Sequence, residues 1–141
     1  MNLEYRVASD IHRDFIFNEC MTLVRKYEDL NIFDINEIIK FERAKVDNEI
    51  EKYTAVYDEG TFIGCFKLTK ENGVYELDDL YIAEEHRNKG YGTEILKECI
   101  KNTPITLWVF TDNKVAYDLY VRMGFKVIQD LKTRVQMKKE S

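Results

Sequence analysis

The segment Arg87-Asn88-Lys89-Gly90-Tyr91-Gly92-Thr93 lies between an apolar run typical of a strand and an amphipathic run typical of a helix. The first backbone N–H groups of a helix have no partner within the helix, so they form a natural site for an anion. Gly90 and Gly92 let the backbone approach a ligand closely, and Arg87 and Lys89 add positive charge. The segment therefore predicts a phosphate or pyrophosphate site. On the local pattern alone, a solvated loop with tight-turn glycines stays open as the alternative.

Two widespread phosphate-binding motifs do not describe this segment. The dinucleotide fingerprint G-x-G-x-x-G requires a third glycine where Ile95 stands. The P-loop pattern G-x-x-x-x-G-K-[ST] occurs nowhere in the chain. The segment therefore belongs to neither of these two classes of nucleotide-binding site.

The rest of the chain predicts an alternation of strands and helices around this segment. Apolar runs predict strands over residues 3–7, 53–57, 61–69, 74–82, 105–110, 125–128 and 133–137. Helical periodicity predicts four helices, which begin after Ser9-Asp10, at Asp34, at residues 90–92 and after Asp112 or Asn113. Because strands outnumber helices and hairpins precede the helical crossover, we predict an α+β fold with a single mixed, mostly antiparallel sheet flanked by helices.

The helical periodicity also predicts which side chains are buried. The inner face of the first helix is predicted to comprise Ile16, Cys20, Leu23, Val24 and Tyr27. The inner face of the last helix is predicted to comprise Val115, Ala116, Leu119, Tyr120 and Met123. In the second helix, Asp34 and Glu37 resemble a capping box, and the charged stretch up to Lys52 is predicted to be a solvated face.

Length and composition indicate the number of domains and exclude several classes of partner. The 141 residues suit one domain, residues 1–141, and the net charge of −5 without a basic stripe argues against a nucleic-acid partner. No apolar run is long enough to span a membrane and no secretory signal begins the chain, so we expect a cytoplasmic protein without a membrane partner. Three widely separated cysteines predict reduced core thiols, and no metal-ligand spacing occurs.

Two separate stretches resemble the GNAT superfamily of N-acetyltransferases. The family's pyrophosphate loop, [RQ]-x-x-G-x-[GA], is matched by Arg87, Gly90 and Gly92. A second family segment, an asparagine followed by alanine, tyrosine and Gly-Phe, is matched by Asn113, Ala116, Tyr120 and Gly124-Phe125. The resemblance is strong over residues 77–125 and weak before Tyr53. It implies the GNAT (acyl-CoA N-acyltransferase) fold and an acetyl-CoA-dependent N-acetyltransferase without a metal.

The resemblance also implies where the cosubstrate lies. In this family acetyl-CoA occupies a cleft where the fourth and fifth strands, here 74–82 and 105–110, splay apart. The backbone of Leu80, Tyr81 and Ile82 is implied to pair with the pantetheine arm, which Asn113 also contacts. The residues implied to hold the pyrophosphate are Arg87, Asn88, Lys89, Gly90, Tyr91, Gly92 and Thr93.

Two catalytic roles follow from the same resemblance. Tyr120 matches the family's tyrosine that protonates the departing thiolate, although plain core packing is its alternative. The run Leu77-Asp78-Asp79-Leu80-Tyr81 is similar to Leu-Glu-Asp-Phe-Phe of the polyamine acetyltransferases, which places the base on Asp78 acting through water. Glu76, Asp79 and water itself stay open, as does a role for these acids in only orienting neighbours. Strand alternation puts Asp78 on the face of Leu80 unless a bulge reverses it.

The implied reaction moves the acetyl group of acetyl-CoA to a primary amine by direct attack in a ternary complex. The acceptor is a small-molecule amine or an amine of a protein or peptide. Acidic residues between positions 27 and 41 favour cationic acceptors, namely Glu28, Asp29, Asp34 and Glu37. A catalytically inert acyl-CoA-binding sensor is the alternative function, and a homodimer is left open.

Overall fold

The computed structural model describes residues 1–141 and contains seven strands and four α-helices in the predicted order. The strands are β1 (Leu3–Val7), β2 (Tyr53–Asp58), β3 (Thr61–Glu71), β4 (Val74–Ile82), β5 (Ile105–Phe110), β6 (Lys126–Asp130) and β7 (Arg134–Lys139). The helices are α1 (Arg13–Tyr27), α2 (Ile35–Glu49), α3 (Tyr91–Cys99) and α4 (Lys114–Arg122). None of these helices has both the length and the apolar character needed to cross a bilayer.

All seven strands form one sheet in the order β1-β2-β3-β4-β5-β7-β6. Every neighbouring pair is antiparallel except β4 and β5, which are parallel. The hairpin turns Glu59-Gly60 and Asn72-Gly73 place all four residues at positive φ, which matches the right-handed twist of the flanking strands. The predicted α+β fold with a mixed, mostly antiparallel sheet is therefore confirmed.

The parallel pair β4–β5 is incomplete. It is joined only at Tyr75–Ile105, Glu76–Thr106 and Leu77–Leu107. Beyond Leu77 and Leu107 the two strands diverge, although β4 continues to Ile82 and β5 to Phe110. This divergence opens the sheet at the carboxyl ends of both strands.

Helices cover both faces of the sheet and create two apolar cores. On one face α3 and α4 contribute Ile95, Leu96 and Tyr120 to a cluster that includes Leu107 and Met137. On the other face α1 and α2 bury a second cluster, which includes Ile16, Val24, Val46 and Tyr53. The three cysteines are buried and unpaired, as predicted.

Simple alternation does not hold in β4 beyond Leu77, because the strand contains the bulge that was named as the exception. Cys65 of β3 lies opposite Tyr81 and Lys67 lies opposite Asp78, so Phe66 alone faces two residues of β4. The extra residue forms a bulge, and Asp79 takes a φ of 52°. As a result Asp78 and Asp79 both point toward α1 and α2, where they contact Lys45. Leu80 and Ile82 instead join Leu77 at the core beneath α3 and α4.

Two burial predictions are wrong. Lys45 and Glu49 do not lie on a solvated face of α2, because residues 42, 45 and 49 follow helical spacing and face the sheet. The Lys45 side chain is only 15% exposed. Val115, predicted to lie on the inner face of α4, is 83% exposed, because it lies one position outside the stripe that begins at Ala116.

Candidate active site

A cavity of about 700 Å³ lies where β4 and β5 diverge. Its walls come from α1, α2, α4, β4, β5 and the start of β7, and 16 of its 25 lining residues are hydrophobic. The predicted site residues that line it are Asp78, Leu80, Tyr81, Asn113 and Tyr120. Ile82 and residues 87–93 lie outside this cavity. The structure therefore places the predicted residues in two parts, the cavity and the loop before α3.

Residues 87–93, which we call the phosphate loop, run into the N-terminus of α3. Gly90 is the N-cap of α3 and has a φ of 87°, and Asn88 has a φ of 62°. None of the backbone N–H groups of residues 88–93 donates a hydrogen bond within the protein. These donors lie at the positive end of the α3 dipole, so the loop can hold an anionic group.

The two glycines of the phosphate loop have different structural roles. A Cβ on Gly90 would meet only the Met1 side chain at 3.6 Å, so its positive φ, and not space, requires glycine. Gly92 has no positive φ, and a Cβ there would meet a side-chain atom of Leu119 at 3.7 Å, an ordinary contact. Of these two positions, only Gly90 therefore requires glycine for its backbone conformation.

Arg87 and Tyr91 anchor the phosphate loop to its surroundings. The Arg87 guanidinium donates to the Ile82 carbonyl at 2.9 Å and to the Glu19 carboxylate at 2.9 Å. The Tyr91 hydroxyl donates to Asp58 at 2.5 Å. The charge of Arg87 is thus paired with Glu19, and its predicted contact with the pyrophosphate stays a prediction.

Asp79 also lines the cavity, and both of its carboxylate oxygens already accept hydrogen bonds from tyrosine hydroxyls. It accepts hydrogen bonds from the hydroxyls of Tyr53 at 2.5 Å and Tyr81 at 2.8 Å, and Lys45 Nζ lies 3.0 Å away. Burial by itself favours the protonated acid, but the charge of Lys45 and these donors hold the pKa of Asp79 below its usual value. Asp79 therefore stays ionised and has little capacity to accept a further proton.

Asp78 differs from Asp79 in its exposure, in its distance from the lysines and in the direction of its pKa shift. Its side chain is 37% exposed and lines the cavity, and the nearest lysine nitrogens are Lys67 at 3.7 Å and Lys45 at 3.8 Å. Burial and the adjacent charge of Asp79 raise the pKa of Asp78 to about 6. A carboxyl group with such a pKa can exchange a proton near neutral pH. Glu76, the remaining candidate, is exposed and does not line the cavity.

Tyr120 and Asn113 enter the cavity from α4. The Tyr120 ring packs edge to face on Phe125 with centroids 5.8 Å apart, and its hydroxyl forms no hydrogen bond within the protein. Burial raises the pKa of Tyr120, so the phenol stays protonated and can donate. Asn113 is the N-cap of α4, but its side chain makes no capping hydrogen bond, so its amide is available to a ligand.

Two buried lysines of this site, Lys45 and Lys67, were not predicted from the sequence. Lys67 Nζ lies 3.1 Å from Glu49, and Lys67 is directly opposite Asp78 in the β3–β4 hairpin. A two-residue Asn-Gly turn fixes that register, so the pairing of Lys67 with Asp78 could have been predicted from the turn at residues 72–73. The signal for Lys45 was its helical spacing from Glu42 and Glu49.

A mixed sheet that opens between two parallel strands beside a helix N-terminus defines an acyl-CoA N-acyltransferase fold. The chain belongs to the acetyltransferase (GNAT) family, whose sequence profile matches residues 13–125. The resemblance inferred from residues 87–92 and 113–125 is therefore confirmed.

Individual relatives agree with this family membership. An uncharacterized N-acetyltransferase, YobR of Bacillus subtilis strain 168, is 30% identical over 87 residues, which are 57% of this chain and 35% of the relative. The match thus spans about a third of that curated relative.

Solved structures share the fold over the whole chain. PaiA N-acetyltransferase from Thermoplasma acidophilum, in complex with coenzyme A, has a TM-score of 0.74 at 24% identity and covers 100% of both chains. PH1933 from Pyrococcus horikoshii OT3 has a TM-score of 0.73 at 17% identity and covers 99% of both chains. At these identities the likeness is one of fold.

Proposed function

We propose that this protein transfers the acetyl group of acetyl-CoA to a primary amine by direct attack in a ternary complex. The observation that carries the proposal is the divergence of β4 and β5 beside a loop of unused backbone donors. The open strand edge and the loop lie next to each other along the chain, as an elongated cosubstrate with an anionic end requires. The GNAT family membership and the coenzyme A complex of the PaiA neighbour support the same proposal.

The residues present fit acetyl-CoA along its length. Backbone N–H groups of residues 88–93 would hold the pyrophosphate, with the charge of Lys89 nearby. The backbone of Leu80 and Tyr81 lies on the edge of β4 that has no strand partner beyond Leu77, so it would pair with the pantetheine amides like an added strand. The uncapped amide of Asn113 would contact the same arm.

The proton transfers are assigned to two side chains. A free alkylammonium has a pKa near 10 and must lose a proton before its nitrogen can attack, so Asp78 accepts that proton, directly or through water. Backbone N–H groups on the open edge of β4 donate to the thioester oxygen as it gains charge. Tyr120 donates its phenolic proton to the sulfur that leaves, and the second proton of the attacking nitrogen then restores the phenol, so that the products are the amide, the CoA thiol and protonated Asp78.

The acceptor side of the cavity is acidic and apolar. Its lining carboxylates are Glu28, Asp34, Glu37, Glu42, Asp78 and Asp79. Only two lining side chains are cationic, Lys45 and Arg134, so the field favours a cationic amine. The aromatic rings of Phe33, Phe41 and Trp108 offer apolar surface to the body of such an acceptor.

Initial rates of thiol release test the proposal when acetyl-CoA and the amine are both varied. The amine panel comprises polyamines, lysine peptides, alkylamines and anionic amino acids. Direct attack in a ternary complex predicts intersecting double-reciprocal lines with cationic amines. Parallel lines would contradict it, because they indicate a covalent acetyl-enzyme. Calorimetric binding of CoA without turnover would favour the sensor function, and absence of CoA binding would contradict both.

A further inference from the structure

The buried face of α2 carries charges where an apolar stripe is the rule. Glu42, Lys45 and Glu49 all face the sheet, and the side chains of Glu42 and Lys45 are only 14% and 15% exposed. A buried lysine is costly unless carboxylates surround it. Lys45 has three of them: Glu42 at 3.1 Å, Asp79 at 3.0 Å and Asp78 at 3.8 Å.

These contacts link the acceptor side of the cavity to the bulge of β4. Lys45 belongs to α2, whose preceding turns supply Glu37, Ile38 and Phe41 to the cavity wall. Its nearest carboxylate, Asp79, is the residue that takes positive φ at the bulge. The ion pair therefore spans the two elements between which an acceptor amine would enter.

The surrounding groups leave one carboxyl without a close cation. Four carboxylates, those of Glu42, Glu49, Asp78 and Asp79, share the two buried lysines Lys45 and Lys67, and Glu49 also lies 3.5 Å from the exposed Lys52. Both lysines approach another carboxylate to within 3.1 Å but stay 3.7 and 3.8 Å from Asp78. The other titratable groups around the pair are Cys20 of α1, Tyr53 of β2, Cys65 of β3, Tyr81 of β4 and Tyr120 of α4.

We propose that Lys45 is a positioning residue for acetyl transfer, which fixes Asp79 as a permanent anion and so leaves the proton-accepting role to Asp78. This inference rests on the proposed function. Tyr53 and Tyr81 complete the arrangement, because their hydroxyls occupy both carboxylate oxygens of Asp79. The opposite directions of the pKa shifts at Asp78 and Asp79 agree with it.

Carbon-13 NMR titration of the aspartate carboxyls tests the inference on the full chain. The carboxyl of Asp79 should titrate below the ordinary range of aspartate and that of Asp78 above it. In Lys45→Met, loss of the cation should move the titration of the pair upward by roughly 1–3 pH units. In Asp79→Asn, loss of the adjacent negative charge should move the Asp78 midpoint downward. Lys40→Met, an exposed position on the same helix, should leave both midpoints unchanged.

Opposite shifts in the two variants distinguish this role from a merely structural one. The acid limb of kcat should follow the NMR midpoint, upward in Lys45→Met and downward in Asp79→Asn, and Lys45→Arg should return it toward the wild-type value. An Asp79 midpoint above that of Asp78, or an Asp78 midpoint that does not move in Asp79→Asn, would overturn the inference. If Lys45→Met does not fold, Asp79→Asn still decides.

The NMR midpoints can be measured without turnover. Failure of the inference about Lys45 can therefore be distinguished from failure of the proposed acetyl transfer. If the midpoints move in opposite directions in the two variants but the wild-type protein transfers no acetyl group, acetyl transfer is contradicted. The role of Lys45 in catalysis is then contradicted with it. Active wild-type protein with unmoved midpoints would contradict the inference about Lys45 alone.

Discussion

Tyr120 and Asp78 reach the cavity from opposite faces of the sheet. Tyr120 belongs to the core beneath α3 and α4, whereas Asp78 points toward α1 and α2. An intact strand ladder would separate two such side chains, but β4 and β5 part after Leu77 and Leu107. The gap in the sheet thus allows the proposed proton acceptor and the proposed proton donor to enter the same cavity.

Removal of the Tyr120 hydroxyl tests its assignment as the acid. We expect Tyr120→Phe to lower kcat by about 10²–10⁴-fold, the usual contribution of a positioned acid, and to leave CoA affinity unchanged. Thiol-release kinetics and calorimetry measure the two quantities. The matched control is Tyr117→Phe, a half-buried tyrosine on the same helix. Equal turnover of Tyr120→Phe and the control would remove the acid role from Tyr120.

Asp78 should reduce stability while it supports turnover. Its pKa in the folded protein, about 6, lies above the ordinary 3.8, so folding disfavours the charged form. The resulting loss of folding free energy is fully present above pH 6 and decreases as the pH falls. It disappears below the unfolded pKa of 3.8, where both the folded and the unfolded states are protonated. Asp78→Asn should therefore raise Tm at neutral pH, leave it unchanged in acid and lower kcat. A lower Tm at neutral pH would contradict this environment for Asp78.

Some contacts and residues of the candidate site could be predicted from the sequence, and others could not. Tyr120, Asn113 and Asp78 were predicted from motifs that resemble those of the family, and all three line the cavity. The pairing of Arg87 with Glu19 was not found, because 68 residues separate them and only the fold brings them together. The catalytic roles of Tyr120 and Asp78 are proposals, which the variants Tyr120→Phe and Asp78→Asn test.

At the scale of elements, turn chemistry and periodicity predicted most boundaries. The Asn-Gly turn fixes the β3–β4 register as far as Lys67 and Asp78, and β4 spans the predicted residues 74–82. The bulge at Asp79 could not be read from the sequence, because a non-glycine residue at positive φ is held by its tertiary contacts to Tyr53 and Lys45. That bulge decides which way both aspartates point.

The phosphate loop gives a prediction at this scale. Gly90→Val places a β-branched side chain at a φ of 87° and should both distort the free N–H groups and cost roughly 1–3 kcal/mol of stability. Gly73→Val is the matched control, since Gly73 has a φ of 80° and a Cβ added there would have no atom within 4 Å. Chemical denaturation should show similar losses in both. Calorimetry should show a loss of CoA affinity of more than about tenfold, or about 1.4 kcal/mol, in Gly90→Val alone. Equal CoA affinity in the two variants would contradict the loop assignment.

At the scale of the whole molecule, one sheet unites the chain. β1 near one end and β7 near the other belong to the same seven strands, and both apolar cores pack on that sheet. The order of elements was predictable because each element has its own periodicity and punctuation. The depth of the cavity was not, because it depends on where β4 and β5 stop pairing.

We propose that residues 1–141 unfold as one domain, because the two cores share the strands β2, β3 and β4. Scanning calorimetry should give a single transition whose calorimetric and van't Hoff enthalpies agree. Saturating CoA should raise the Tm of the whole transition. Two separable transitions, with CoA shifting only one of them, would contradict the single-domain proposal.

We propose that the protein moves an acetyl group from acetyl-CoA to an amine. The most direct measurement follows carbon-13 in the acetyl group of acetyl-CoA during incubation with the amine panel. We expect a labelled N-acetyl amide on a cationic primary amine, formed in equal amount to free CoA thiol and only in the presence of active protein. Bound CoA with no label in any amine would contradict it.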